Sequence, residues 1–310
     1  MSDRYAPIVL FVYDRLWHTQ LTIEALVKNH GAIYSDLTVY SDGAKSEEDL
    51  INIISVRRYL KSINGFKSVT VVERDQNYGL ARSIVAGVTE VCEKKGRIIV
   101  VEDDLVTSPY FLQYMNEALD LYENETSVGS IGGYWYPVIN GLELPDTFLL
   151  RGTFCWGWAT WSRAWKKFNA DGKLLLKLLA ASKESYVFDF DGSANFTRML
   201  KLQVKGKNNS WAIRWAAAMF LDGSLQLTPS RSLVENIGFD GTGVHCRELN
   251  ISQLRVSKRA INVEKINEIK ESKKARESLI KYFNSMNNYN LFKRIIIYLI
   301  KKINYKYNII

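Results

Sequence analysis

Glu102, Asp103 and Asp104 are three consecutive carboxylates that directly follow the apolar run Arg97-Ile-Ile-Val-Val101. Acids crowded in this way repel one another, and a divalent cation relieves the repulsion. Hard oxygen donors suit Mg²⁺ or Mn²⁺, ions that commonly use one or two carboxylates together with substrate phosphates. The Ile/Val run reads as a strand buried on both faces. The acids therefore leave the core together at the strand's carboxyl end, where open α/β sheets bind ligands. The alternative is a solvated acidic turn, or an N-cap for a helix starting near Ser108-Pro109. The buried strand favours the metal site.

A second cluster with chemical potential is Arg151-Gly-Thr-Phe-Cys-Trp-Gly-Trp-Ala-Thr-Trp161, followed by Trp165. Indole faces suit the C–H groups of sugar rings, but Trp dominates aromatic cores equally. Gly152 and Gly157 would let the backbone approach a ligand closely.

The elements that must position these groups alternate along the first hundred residues. Strands are expected at 7–12, 37–40, 69–72 and 97–101, with helices at 19–29, 47–63 and 80–93. Such alternation predicts an α/β fold with a doubly wound, mostly parallel sheet. Each strand ends in a polar cluster: Tyr13-Asp14-Arg15, Ser41-Asp42-Gly43, Glu73-Arg74-Asp75 and the acidic triplet. Beyond residue 110 the pattern loosens, with a helix over 111–122 and a strand over 130–134.

Hydrophobic content of 47% in 310 residues is that of a globular chain with one large domain or two small ones. The three cysteines, Cys92, Cys155 and Cys246, are far apart and lack paired metal spacing, so free thiols in a reducing cytoplasm are expected. No run approaches a membrane span, and no signal-peptide core follows Met1. The net charge of +8 is unevenly placed: residues 255–310 hold 14 Lys/Arg and 4 Glu, a net of +10, so residues 1–254 stand at −2. A near-neutral body argues against nucleic acid as a partner. The division reads as a catalytic-type body, 1–254, and a basic helical tail, 255–310.

The ordered set resembles the GT-A glycosyltransferases, which use nucleotide sugars. It comprises Asp14-Arg15 and Ser41-Asp42-Gly43 after two strands, Asn77-Tyr-Gly-Leu-Ala81 opening a helix, and Glu102-Asp103-Asp104. In detail it is similar to bacterial sugar transferases of the family 2 type. The triplet and the Arg-Gly-Thr…Trp-Gly-Trp segment also resemble the N-acetylglucosaminyltransferase of N-glycan branching. The resemblance implies Mn²⁺ or Mg²⁺ held by Asp104 against the donor diphosphate, Asp103 on the ribose and Glu102 near the donor sugar. It implies Asp42 on the base, through the imide N–H of a uracil, and Arg15 on the diphosphate, with Tyr13 in the same donor set. Arg82 would approach the nucleotide or else serve the surface. Trp156, Trp158 and Trp211 would stack on acceptor sugar. His245, after Gly241-Thr-Gly-Val, falls where a late loop closes over metal and diphosphate, although a lone His is more often structural.

Inversion at the anomeric centre would need a general base, commonly worth about 10² to 10⁴ in rate. The branching enzyme places paired acids in a Trp-flanked segment; the corresponding Ser210-Trp-Ala-Ile-Arg-Trp215 has none. The nearest acids are Asp189, Asp191, Asp222, Glu235 and Asp240. Asp189-Phe-Asp191-Gly is loop-like and either of its acids could be the base, each with the alternative of a turn or cap residue, so the base is unassigned. In the tail, 256–285 has a helical pattern that the polar run Asn284–Asn290 ends. The basic, apolar segment 291–303 reads as lying on an anionic membrane surface or docked on the domain. The expected activity is metal-dependent transfer from a UDP-sugar to a glycan or lipid-linked acceptor of a lipopolysaccharide or capsule. The rivals are a sugar-phosphate nucleotidyltransferase and a non-catalytic nucleotide- or glycan-binding protein. The first would place a Gly-rich loop where Tyr13–Trp17 has no glycine.

Overall fold

A computed structural model describes residues 5–138, 143–239 and 256–287. Ile8–Val12 (β1), Asp36–Ser41 (β2), Ser68–Glu73 (β3) and Arg97–Glu102 (β4) form a parallel half-sheet in the order β3-β2-β1-β4. Helices Leu16–Val27 (α1), Glu47–Leu60 (α2) and Gly79–Lys95 (α3) connect them. These elements match the sequence expectation within a few residues at each end. The physical reason is visible in β1 and β4, whose side chains alternate between two cores. Ile8, Leu10, Ile99 and Val101 enter one, while Val9, Phe11, Ile98 and Val100 enter the other. A strand buried on both faces must be apolar throughout.

The sheet continues through strands of both directions. After Leu105–Thr107 (β5) and Phe111–Leu121 (α4) come Val128–Gly132 (β6), Thr147–Leu150 (β7), Trp158–Trp161 (β8), Leu225–Pro229 (β9) and Val234–Asn236 (β10). The eight-stranded order is β3-β2-β1-β4-β8-β6-β9-β7, with β8 antiparallel to both β4 and β6, and β7 antiparallel to β9. β5 and β10 form a separate antiparallel pair. The expected α/β architecture is present, and its second half is mixed. Helices Ser162–Trp165 (α5), Gly172–Ser182 (α6), Ser185–Phe188 (α7), Phe196–Val204 (α8) and Trp211–Asp222 (α9) separate β8 from β9.

The stretch after 255 departs from the expected helical tail. Residues 256–272 contain no helix and are strapped to the body. Ser257 N donates to the Ser232 carbonyl at 2.8 Å, Ile266 N to Tyr122 Oη at 3.0 Å, and Ser272 N to the Leu149 carbonyl at 2.8 Å. Ile261 is buried in the main core. Helix starts only at 273 and runs through 287, past Asn284, with Ala275 and Leu279 buried against Phe148 and Phe190. Apolar spacing here records contact with the body and not a continuous amphipathic helix. No helix among the described residues is long and apolar enough to cross a membrane. The segment 291–303 lies outside the described residues.

Candidate functional site

Parallel register brings the chemistry together. Phe11 pairs with Glu102 and Val12 with Ser41, so the residues after β1, β2 and β4 emerge side by side. Arg15, in the turn between β1 and α1, reaches across to the triplet. Its Nη2 donates to Asp103 Oδ1 in a short ion pair and to Asp104 Oδ2 at 3.0 Å. Helix α1 clamps the same loop, since the Thr22 hydroxyl donates to the Asp103 carbonyl at 2.7 Å. From the other side, Ile237 N donates to the Asp104 carbonyl at 2.9 Å. Gly238 then passes so close that a Cβ would stand 2.4 Å from Asp104 Oδ2 and 3.1 Å from Arg15 Nη1. Neither Thr22 nor Gly238 carries a signal in the sequence: Thr22 acts by a hydroxyl on a backbone carbonyl and Gly238 by close backbone approach, each against a distant segment.

The electrostatics are those of crowded acid in a dry place. Burial first, then repulsion from Asp104 and Asp103, pushes Glu102 above the ordinary carboxylate range. Asp103 is also raised, burial outweighing the favourable Arg15 charge. For Arg15, burial works against the charge, but Asp103 and Asp104 more than offset it and hold the guanidinium protonated. Burial also raises Asp14 and Cys155, the latter with a smaller push from Glu102. One cation thus serves three acids. Arg15 Nη1 is buried with no hydrogen-bond partner among the described residues, and a buried donor left unpaired is costly. That orphan is what an added oxyanion would satisfy.

For a metal, the donor set fits a shared ligand sphere and not a protein cage. Among the described residues no cluster of three or more His, Cys, Asp or Glu is placed to hold an ion. Among the described residues the Asp104 carboxylate accepts only from Arg15, through Oδ2, and its Oδ1 has no hydrogen bond. A single hard carboxylate that relies on phosphate oxygens and water for its remaining ligands is the usual Mg²⁺-type arrangement. His245, the second expected ligand, lies outside the described residues.

The other expected donor residues are placed as follows. Tyr13 Oη donates to Asp49 Oδ2 at 2.8 Å and accepts from Lys45 N at 3.1 Å; burial, then Asp49, pushes it up to about 12. Asp42 is 5% exposed and accepts from Gly43 N at 3.1 Å and from Tyr78 N and Gly79 N at 2.8 Å each. Its carboxylate is therefore committed to anchoring the start of α3, where the helix dipole favours negative charge. This geometry differs from the expected contact with a base. Arg82 is exposed and lies over the Tyr78 ring at 3.9 Å, with Arg74 also on that ring at 4.3 Å.

Three expectations are corrected. Trp158 and Trp211 are 1% and 3% exposed and lie 5.4 Å apart in a stack with Trp165 and Trp215, so no indole face remains for sugar. Trp156 is different: half-buried, it touches Tyr134 at 4.5 Å and Phe239, next to Gly238, at 5.5 Å. Asp189 and Asp191 are each engaged within the fold. Asp189 Oδ1 accepts from Thr197 N at 2.6 Å at the start of α8, and Asp191 pairs with Arg276 at 2.8 Å. The glycines serve packing: a Cβ on Gly152 would stand 2.5 Å from the Phe190 ring, and one on Gly157 2.6 Å from Val234.

No protein-family model and no curated protein sequence matches the chain. Among solved structures it is similar to a mannosyltransferase from Pyrobaculum calidifontis in complex with GDP-Man and Mn²⁺. There the TM-score is 0.36 and the identity 12%, over 58% of this chain and 47% of that one. S. aureus TarS 1–349 gives a TM-score of 0.41 and 10% identity over 74% of this chain and 59% of that one. A UDP-glucose pyrophosphorylase complexed with UDP-glucose gives 0.34 and 11%, over 72% of this chain and 90% of that one. The chain thus spans about half the length of the first two. Likenesses of this depth, spread over different enzyme classes, assign neither a reaction nor a residue role.

Proposed function

We propose that the chain is a metal-dependent glycosyltransferase of the GT-A type that takes a nucleoside-diphosphate sugar, with a UDP-sugar expected from the resemblance. The observation that carries this reading is Arg15. Its guanidinium binds Asp103 and Asp104 at the carboxyl edge of the parallel strands while its buried Nη1 lacks a partner. A preformed cation with an empty donor, beside carboxylates whose charge it only partly offsets, suits a diphosphate that arrives with its own divalent ion.

Asp104 would hold that ion, with His245 as a further candidate; when bound, it offsets the negative charge that collects on the departing diphosphate. Arg15 fixes the two aspartates and presents Nη1 to a phosphate oxygen. Burial favours the protonated form of Glu102, which lets it donate to a hydroxyl of the donor sugar. Asp103, anchored through its carbonyl by Thr22, stands where a ribose hydroxyl could donate to it. A half-buried Trp156 offers the only expected indole not enclosed in the core. The acceptor is proposed to be a glycan or lipid-linked precursor, reached from the cytoplasm.

A second reading draws on one observation: both candidate bases are engaged elsewhere, Asp189 as a cap and Asp191 in an ion pair. A nucleotide-sugar-binding protein without turnover would look the same. The deciding experiment screens nucleotide sugars for Mn²⁺-dependent thermal stabilisation, since specific binding raises the midpoint, and then analyses products. Release of nucleoside diphosphate supports the transferase, pyrophosphate the nucleotidyltransferase, and stabilisation without turnover the binding protein. Absence of Mn²⁺-dependent stabilisation by any nucleotide sugar would sink the donor site itself.

A further inference from the structure

Away from the carboxylate edge, α6 and α8 cover α9 and share a small core with it, built from Leu175, Leu179, Leu200, Ile213 and Phe220. A Cβ on Gly172 would meet Gln203 and Val204, so the start of α6 abuts the end of α8. The outward faces of this pair are unusual. Leu174, Leu178, Met199 and Leu202 are 41%, 45%, 39% and 37% exposed. Leu174 and Leu178 are four apart and form one stripe on α6. Met199 and Leu202, three apart, form one on α8. Tyr186, just beyond α6, is 65% exposed. Asn208 Nδ2 donates to the Met199 carbonyl, which folds the turn after α8 back beside this apolar strip.

Charge surrounds the strip. Residues 172–207 contain seven Lys/Arg and three acids. All three acids are already engaged: Glu184 with Arg151 at 2.7 Å, Asp189 with Thr197 N, and Asp191 with Arg276. None of the seven cations makes an ion pair among the described residues. Lys173 and Lys177 flank the α6 stripe, and Lys201 and Lys205 flank that of α8. Exposed apolar residues grouped in a patch mark an interaction site, and a basic rim selects an anionic partner. A second copy of this chain would oppose like charges.

We propose that the α6–α8 face is a docking surface for an anionic lipid bilayer, with the Leu and Met side chains entering the headgroup boundary and the lysines contacting lipid phosphates. Two amphipathic helices lying flat supply apolar contact and charge together, which is how interfacial helices bind. The surface is distinct from the carboxylate edge and does not depend on the reading of that site. It also uses residues other than the basic segment 291–303.

The test is co-sedimentation of the full chain with phosphatidylcholine vesicles, with and without phosphatidylglycerol. The wild-type chain is expected to partition onto the phosphatidylglycerol vesicles and to lose that binding as salt shortens the screening length. The double variants Leu178→Glu/Leu202→Glu and Lys177→Glu/Lys201→Glu should each bind at least about tenfold more weakly, given the usual contribution of each basic residue near such a surface. Unchanged melting temperatures would confirm the fold; should the Glu variants misfold, Leu178→Ser/Leu202→Ser serves in their place. Three results overturn the proposal. These are wild-type-like binding by both variants, no preference for phosphatidylglycerol, or equal binding to soluble polyglutamate that the leucine variant leaves intact. The last would indicate an acidic protein partner.

Discussion

Carboxylates at the end of β4 and carboxylates around α7 and α8 have opposite surroundings. Asp103 is buried and Glu102 half-buried; both are raised above the ordinary carboxylate range and lean on one shared guanidinium. Asp189 and Asp191 each have a dedicated partner: the Thr197 amide for one, Arg276 for the other. The same side-chain chemistry is thus strained in one place and satisfied in the other. A folded chain tolerates buried, under-compensated acids chiefly where a ligand completes them. The tryptophans divide in the same way, with Trp158 and Trp211 enclosed by other rings and Trp156 half-open beside Phe239.

The contrast can be broken most sharply at Asp104. Asp104→Asn is expected to lower Mn²⁺-dependent turnover of the nucleotide sugar by about 10² to 10³, the usual cost of losing an electrostatic group aimed at developing charge. Its melting temperature should hardly fall. Comparable turnover in the variant, by product assay, would place the metal elsewhere.

Arg15→Ala tests the shared cation. It leaves two neighbouring carboxylates unpaired, and a loss of roughly 2–4 kcal/mol of unfolding free energy is expected from denaturant titration, together with loss of donor binding. Arg15→Lys should recover part of the stability but little of the binding, since one ammonium cannot reproduce the planar fork.

Glu102→Gln moves stability the other way. An acid whose folded-state pKa is raised binds its proton more tightly in the folded chain. Folding is therefore favoured at low pH, and that advantage is lost as pH climbs from the unfolded carboxylate value through the raised one. The variant should melt a few degrees higher above neutrality and flatten the pH dependence, while weakening donor binding. A lower melting temperature at every pH would contradict the assigned burial cost.

The smallest effects belong to the satisfied acids. Asp189→Ala should cost about 1 kcal/mol through the lost cap on α8, and Asp191→Asn less than about 1 kcal/mol because the pair is partly exposed. Neither should change turnover by more than about twofold, since neither touches the carboxylate edge by this reading. A large fall in turnover for either one would restore it as the general base.

Legibility followed sequence separation and period. β1 to β4 and α1 to α3 could be read because each is a local pattern: apolar runs of strand length between helical stretches. The triplet could be read because it terminates such a run. The second half resisted because β8 inserts between β4 and β6 in the antiparallel sense and its pairings span distant segments. Residues 256–272 misled because their isoleucines face the body from extended chain, which imitates helical spacing. Asp42 was legible as a functional carboxylate at a strand end, but its three backbone amide partners, two of them 36 and 37 residues away, were not.

By itself, the sequence determined that three acids leave a buried strand together, and that cations, acids and loops gather at one edge of a parallel sheet. Those facts depend on composition and local period alone. Only the tertiary structure decided which groups act on one another. It set Arg15 across two aspartates, pressed Gly238 against them, enclosed Trp158 and Trp211, and gave Asp189 and Asp191 structural partners. The physical reason is that burial and partner choice are properties of distant segments brought together, and these, more than residue type, set whether a carboxylate is free to do chemistry.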